Sequence, residues 1–286
     1  MTMNIRRTLY ICLVFAIAFT ANAQLKMPPA SPTYELKGTI GLADVKVVYS
    51  RPSAKGRTIF GDLVPFDAVW RTGANASTII SFSNDVTIEG NLVPAGEYAL
   101  YTIPGEKEST IIIYKDVTLG GSVGYDAKDD LVRFKVPTKH PSSMYETFTI
   151  SFSDFTSESA MLNMKWEHTK MAFTITNQVQ DIVMAQIKAQ IIDTDSSEDG
   201  IYYMAASYYY DNNQDSKLAL KWSEKGIKAT GDNPRYWELH LKAKLLVRLG
   251  KKKQAISVAK ESMELAKTTG NTDYVKLNEK LIASSK

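Results

Sequence analysis

From about Leu36 to Thr176 the apolar side chains fall two residues apart in short runs. Val45, Val47 and Tyr49 follow this rhythm, and so do Val86 and Ile88 ahead of Gly90. Pro94-Ala95-Gly96 turns the chain into two interleaved series, Tyr98 with Leu100 and Ala99 with Tyr101 and Ile103, and Pro104-Gly105 turns it again. The series continues with Val132, Phe134 and Val136, then Phe148, Ile150 and Phe152. Leu162, Met164 and Trp166 follow, then Met171, Phe173 and Ile175. Side chains alternate between the two faces of a strand, so each run predicts a strand with one buried face. Ile111-Ile112-Ile113 is uninterrupted and predicts a strand buried on both faces. Short strands joined by turns, with no helical pattern between them, predict an antiparallel β-sandwich over residues 36–176. No Asn-Gly or Asp-Gly pair marks a two-residue hairpin, so the order of strand pairing is not readable.

At Asn177 the period changes. Val179, Ile182, Val183, Gln186, Ile187, Gln190 and Ile191 recur at helical spacing, with Asn177 placed to cap them. Further helices are predicted from about Ser197 to Tyr210 and from Ser216 to Ala229. Another opens at Asn233-Pro234 and closes at Gly250, one closes at Gly270, and a last opens at Thr272-Asp273. Ala219 and Ala255 each open the second helix of a pair. Leu239, Ala243, Leu246, Gly250, Ala255, Ile256 and Ala259 look like a unit of the tetratricopeptide family, whose period is ~34 residues. An α-helical, tetratricopeptide-like region is therefore expected over residues 177–286. With fewer than the three units that normally bury a continuous core, these helices are expected to pack in part against the β-domain.

The N-terminus carries Arg6 and Arg7, an apolar run from Leu9 to Phe19, and the small-x-small triplet Ala21-Asn22-Ala23. This reads as a secretory signal over residues 1–23, its apolar run far short of the ~20 residues a spanning helix needs. A proline-rich extended leader, residues 24–35, follows. Cys12, the single cysteine, lies inside the signal, so the exported chain would use neither disulfides nor thiols. The net charge is +3, and loss of the signal leaves 32 basic against 31 acidic side chains. That balance provides no phosphate-neutralising surface for nucleic acid and no polybasic membrane tether. With no later apolar run of spanning length, the expectation is a soluble protein in the periplasm or outside the cell.

Several segments are unlike ordinary strand sequence. They are Tyr49-Ser50-Arg51-Pro52-Ser53-Ala54-Lys55-Gly56-Arg57-Thr58-Ile59-Phe60-Gly61, Leu63-Val64-Pro65, Val69-Trp70-Arg71-Thr72-Gly73-Ala74-Asn75, and the run from Pro94 through Tyr101 to Pro104. On these motifs residues 31–175 resemble DUF2911, a bacterial family of unknown function abundant in Bacteroidetes; the helical tail lies outside the resemblance. Relatives commonly carry Glu after the Gly-Ala-Asn triplet, where this chain has Ala76. They often carry Trp where it has Ser109. The resemblance supplies no activity.

The candidate chemistry gathers at Arg51, Ser53, Lys55, Arg57, Trp70, Arg71 and Asn75. The first four lie two apart, so an extended segment would place them on one face. Guanidinium forks suit carboxylate, phosphate or sulfate groups, and Trp70 could stack on a sugar. The competing reading pairs these arginines with Asp44, Asp62, Asp67 and Asp85 around a glycine-shaped loop. His140, His168 and His240 stand in unrelated contexts, which gives no zinc spacing and no visible triad. No cofactor or metal is expected. Asp193 to Gly200 is acidic, but Glu198 takes the place where a calcium loop needs glycine, and helix capping is the simpler reading. On the helices, Trp237, His240, Lys244 and Arg248 share a face that could grip the carboxylates of a peptide, or could be a solvated basic face. Tyr202, Tyr203 and Tyr208 to Tyr210 read as inter-helix packing. The leading expectation is an exported, non-catalytic binding or envelope-assembly protein. The alternative is an enzyme acting on an anionic or carbohydrate substrate, with Arg71 and Lys55 stabilising charge.

Overall fold

The structure, a computed structural model, describes residues 27–194 and 199–286, and divides between Gln178 and Val179 into two compact units. The signal segment, Cys12, the first residues of the leader and the centre of the acidic loop lie outside the described residues.

The first unit is a sandwich of two antiparallel sheets. The larger runs β1(Thr33–Ile40), β2(Ala43–Ser50), β3(Thr78–Phe82), β6(Gly96–Ile103), β7(Glu108–Tyr114) and β8(Asp130–Pro137) from edge to edge. The smaller runs β5(Asn91–Val93), β4(Val86–Ile88), β11(Thr169–Asn177), β10(Ser159–Glu167) and β9(Tyr145–Ser153). β1 begins at Thr33, so the last three residues of the expected leader are already strand. Pairing of Val47 with Ile80, of Ile80 with Tyr98, and of Leu100 with Ile113 puts the alternating residues of the larger sheet on one face. They meet Ile88, Ile150, Leu162, Met164, Phe173 and Ile175 of the smaller sheet in a single core. Burying a side chain of this size contributes roughly 1.5–3 kcal/mol, which is why register here is strongly specified.

Ile111 and Ile113 face this core. Ile112 lies on the opposite face with Ala99, Tyr101 and Tyr114, covered by Val69, Leu119 and Tyr125. The strand is buried on both sides, as its apolar run predicts. The covering segment after β7 is tied down by side chains: Tyr101 donates to Gly121 O at 2.7 Å and Ser77 to Leu119 O at 2.7 Å. Tyr125 donates to Asp130 Oδ1 at 2.7 Å; burial first, and then this carboxylate, push its hydroxyl up to about 12.

Asn177 does not cap the first helix. It is the last residue of β11, fully buried, where its Oδ1 accepts from Leu42 N at 2.9 Å and its Nδ2 donates to Asp85 O at 3.0 Å. The side chain thus satisfies backbone groups of two turns, a use that local sequence does not reveal.

The second unit contains α1(Val179–Ile187), continued by a π-turn at Lys188–Ile192, then α2(Asp199–Asp211), α3(Ser216–Ala229), α4(Tyr236–Arg248), α5(Lys252–Thr268) and α6(Thr272–Ser285). α4 begins at Tyr236, with Arg235 in the cap position, not at Asn233-Pro234. Asp215 caps α3 by accepting from the backbone of Lys217 and Leu218, and Asn271 caps α6 by accepting from Tyr274 N. Gly250 closes α4 with φ 73°, its N–H on Val247 O and the next N–H on Leu246 O, the left-handed ending that glycine adopts without strain. The helices share a core of Tyr202, Tyr209, Ala219, Trp222, Leu245 and Ala255. Tyr209 meets Trp222 edge-on at 4.7 Å. No helix among the described residues is long and apolar enough to cross a membrane.

Candidate functional site

After β2 the chain leaves the larger sheet and runs along the edge of β9. Ala54 N donates to Glu146 O at 2.7 Å and Phe148 N to Pro52 O at 2.9 Å. The alternation holds this far: Pro52 and Ala54 are buried, while Arg51 and Ser53 are half-buried beside β9. Arg51 Nε donates to Phe148 O at 3.1 Å and Nη2 to Thr149 Oγ1 at 2.8 Å; Ser53 Oγ lies 3.2 Å from Thr147 Oγ1. Lys55 then adopts φ 51° and Gly56 φ 70°. This left-handed turn ends the extended segment, so Lys55 and Arg57 do not continue the face that Arg51 and Ser53 begin. Arg57 folds back onto its own loop, donating from Nε to Ala54 O at 2.9 Å and from Nη2 to Ser53 O at 2.7 Å.

The loop between Trp70 and Thr78 faces this segment. Trp70 N and O exchange hydrogen bonds with Thr102, and its Nε1 donates to Gly73 O at 3.0 Å. Gly73 has φ 154°, and a Cβ there would stand 3.1 Å from Ser50 O, so glycine is required by both conformation and close approach. Asn75, at φ 59°, donates from Nδ2 to Ser31 O and to Ser50 Oγ. Arg71 Nη1 donates to Asn75 O and, at 2.9 Å, to Gly120 O. Arginine here joins the loop to the segment covering the outer face of the larger sheet.

The expected carboxylate partners are not used. Among the described residues no ion pair reaches Arg51, Arg57 or Arg71; Asp44 accepts from Thr39 Oγ1 and Asp85 from Ala95 N. The arginines brace carbonyl and hydroxyl oxygens instead.

Arg57, Trp70, Arg71 and Asn75 line one open cavity of about 520 Å³. Arg51, Ser53 and Lys55 do not. Ser31, Pro52, Leu63, Val64, Gly73, Ala74 and Trp166 complete the wall. Among the described residues lining it there is no carboxylate, imidazole or thiol. Trp70 is not an open stacking platform: only 9% exposed, it stacks on Trp166 at 6.0 Å and meets Phe60 and Phe148 edge-on. Trp166 is 2% exposed, and its indole N–H has no acceptor. Leu63 presents the exposed apolar surface at the cavity, 47% accessible. Sequence reasoning placed Trp166 in the core by its alternation, and nothing in that rhythm signals that a core ring also reaches a cavity wall.

These same loops carry the motifs of a known family, and its model, described as "Protein of unknown function (DUF2911)", matches residues 31–175. The chain belongs to the DUF2911 family. No curated protein and no solved structure matches it. The DUF2911 region ends two residues before the end of β11, so every residue lining the cavity falls inside it. Of the two departures, Ala76 is exposed beside Asn75. Ser109 is fully buried, where its Oγ accepts from Gly105 N and lies 2.7 Å from Thr138 Oγ1.

On α4 the four groove candidates split between neighbours. Lys244 Nζ and Arg248 Cζ lie 4.1 and 3.7 Å from the centroid of the Tyr210 ring, and Arg248 Nη1 donates to Tyr210 O at 2.6 Å. This caps the C-terminal end of α2 with positive charge, which its dipole favours. His240 faces α6, with Nδ1 2.8 Å from Asn278 Oδ1 and the Tyr274 ring edge-on at 5.5 Å. Asn278 Nδ2 donates to Ser262 Oγ and Tyr274 O, so Oδ1 is the acceptor and His240 carries its proton on Nδ1. Burial holds the His240 pKa below its ordinary value, with Lys244 adding to the effect and the Asn278 bond opposing it. Trp237 meets Tyr236 edge-on at 4.8 Å. His140 and His168 lie against the carbonyls of Glu106 and Pro141, and no cluster of three metal-ligating side chains occurs among the described residues.

Proposed function

We propose that this is an exported, non-catalytic binding protein whose DUF2911 region holds a small anionic ligand in the cavity between Arg57 and Arg71. One observation carries the reading: two guanidinium groups line an open cavity of about 520 Å³ whose described lining holds no acid to neutralise them. Each guanidinium has five donors in a fixed fork, and the bonds to protein oxygens occupy only some of them. Among the described residues Arg57 Nη1 and Arg71 Nε and Nη2 take no protein acceptor. The cavity size lies within the ~300–1,000 Å³ usual for small-molecule sites. Binding is favoured over turnover because the lining offers no nucleophile paired with a base. The helical unit fits a tetratricopeptide-like pairing, with α2 on α3 and α4 on α5 and the buried Ala219 and Ala255 near the helix starts. In the proposal it supplies a contact to a partner protein, in keeping with a role in the envelope.

Calorimetric titration of the full chain with inorganic phosphate tests the anion site. Binding should weaken with added salt and fall at least tenfold in Arg57→Gln. Binding that is indifferent to Arg57 would remove the proposal, and so would release of a chemically altered ligand.

A further inference from the structure

The helical unit carries an apolar groove that its own core does not use. α6 packs on α5 and α4, yet its buried residues are polar, Asn278 and Ser285. Tyr274 meets the Tyr236 ring at 4.8 Å, but among the described residues the apolar core of this unit takes nothing from α6. Ile282 and Ala283 instead line an open groove of about 520 Å³ with Met263 of α5. Contiguous apolar surface left open in this way marks a place of association.

The charged residues bordering the groove indicate what covers it. On α5, Glu264 stands nearer than Lys260 to the turn that joins the two helices; on α6, Glu279 stands nearer to it than Lys286. The acids therefore gather toward the turn and the bases toward the far end, with the apolar residues among them. Lys267 pairs with Glu264 at 2.8 Å, but no ion pair among the described residues reaches Lys260, Glu279 or Lys286. Such a groove is complementary to itself when turned end for end. The apolar groove between α1 and α2 has no charged side chain in its lining, so stacking head to tail on it would bury these charges unanswered.

We infer that two copies of this chain pair through the α5–α6 groove, about a two-fold axis lying across the helices. That axis sets Lys260 against Glu264 of the second copy and Glu279 against Lys286 of the second copy, while Met263, Ile282 and Ala283 exclude water between them. α6 has 14 residues, a length of ~21 Å, and a face of that length two helices wide lies below the ~800 Å² per partner of a standard interface. The pairing is therefore a reversible one, at micromolar concentration. It stands apart from the anion site, with which it shares no residue.

Sedimentation velocity of the full chain over about 1–200 μM tests this. The parent should pass from monomer to dimer and go no further. Ala283→Asp places a carboxylate on an exposed groove residue and should leave the chain monomeric throughout, with an unchanged far-ultraviolet spectrum. Lys260→Glu should weaken pairing about tenfold, and adding Glu264→Lys to it should restore the parent affinity, because the swapped charges meet again across the axis. Leu277→Asp, on an exposed apolar residue of α6 outside the groove, should pair as the parent does. A parent that stays monomeric overturns the inference, and so does growth beyond a dimer. It is also overturned if Ala283→Asp pairs normally, if Leu277→Asp is as damaging as Ala283→Asp, or if the double charge swap pairs no better than Lys260→Glu alone.

Discussion

Arg51, Arg57 and Arg71 all spend their guanidinium groups on neutral oxygens, Arg51 and Arg71 joining separate segments and Arg57 bracing its own loop. A charged donor on a carbonyl contributes roughly 1.5–3 kcal/mol, more than the exposed ion pairs the sequence suggested. Arg71→Ala should accordingly destabilise the β unit by about 2 kcal/mol, measured by urea unfolding, because it removes the one donor of both bonds. Gly121 is coupled to the same side chain: a Cβ there would stand 2.9 Å from Arg71 Cζ. Gly121→Ala should shift the guanidinium, weakening phosphate binding severalfold and lowering the melting temperature by a few degrees as the Arg71 bonds are disturbed. Asn177→Ala strips the partners from Leu42 N and Asp85 O and should cost about 2 kcal/mol by denaturant unfolding. Trp70 and Trp166 show the limit of reading residues singly. Both sit where strand rhythm or motif places them, yet only the assembled fold leaves one indole N–H paired and the other buried without a partner.

Elements end where their chemistry requires. Gly250 and Gly270 both adopt φ near 74° just beyond α4 and α5. Gly250→Ala should destabilise the helical unit by about 1 kcal/mol in thermal unfolding, since alanine is strained in that conformation. Between α4, α5 and α6 runs a polar chain: His240 to Asn278 Oδ1, Asn278 Nδ2 to Ser262 Oγ, and Ser262 Oγ to Tyr236 O. Its pH dependence follows from the lowered pKa of His240. Above the unfolded value of about 6.5 the ring is neutral in both states and contributes no slope. As pH falls below that value the unfolded chain takes up a proton that the folded chain does not. Stability of the helical unit should then decline until the lower folded pKa is reached. His240→Gln should flatten that decline in chemical denaturation series taken between pH 7 and 5; an unchanged slope would assign it to other groups.

At the scale of the whole molecule, the two units have separate hydrophobic cores, one gathered between the sheets and one among the helices. The helical core draws on α1 to α5 and holds Trp222, Tyr202 and Tyr209, more apolar surface than the count of repeats suggested. Residues 27–178 produced alone should therefore unfold cooperatively by calorimetry, with the near-ultraviolet signal of packed Trp70 and Trp166 retained. Loss of that signal would show that the sandwich needs the helices to fold.

Period two up to Ile175 and helical spacing from Val179 onward determined the two-part architecture, because burial of alternating or stepped apolar side chains is a local property of the chain. The left-handed endings at Gly250 and Gly270 were legible for the same reason. What tertiary structure decided was where the polar groups went. Lys55 turned out of the strand through φ 51°, Asn177 served two distant turns instead of a helix, and the arginines met carbonyls up to 97 residues away. Only the closing of two sheets brings Trp166 to the cavity that Arg57, Arg71 and Asn75 also line, since hydrogen-bond partners are chosen by proximity in space and rhythm along the chain carries no record of it.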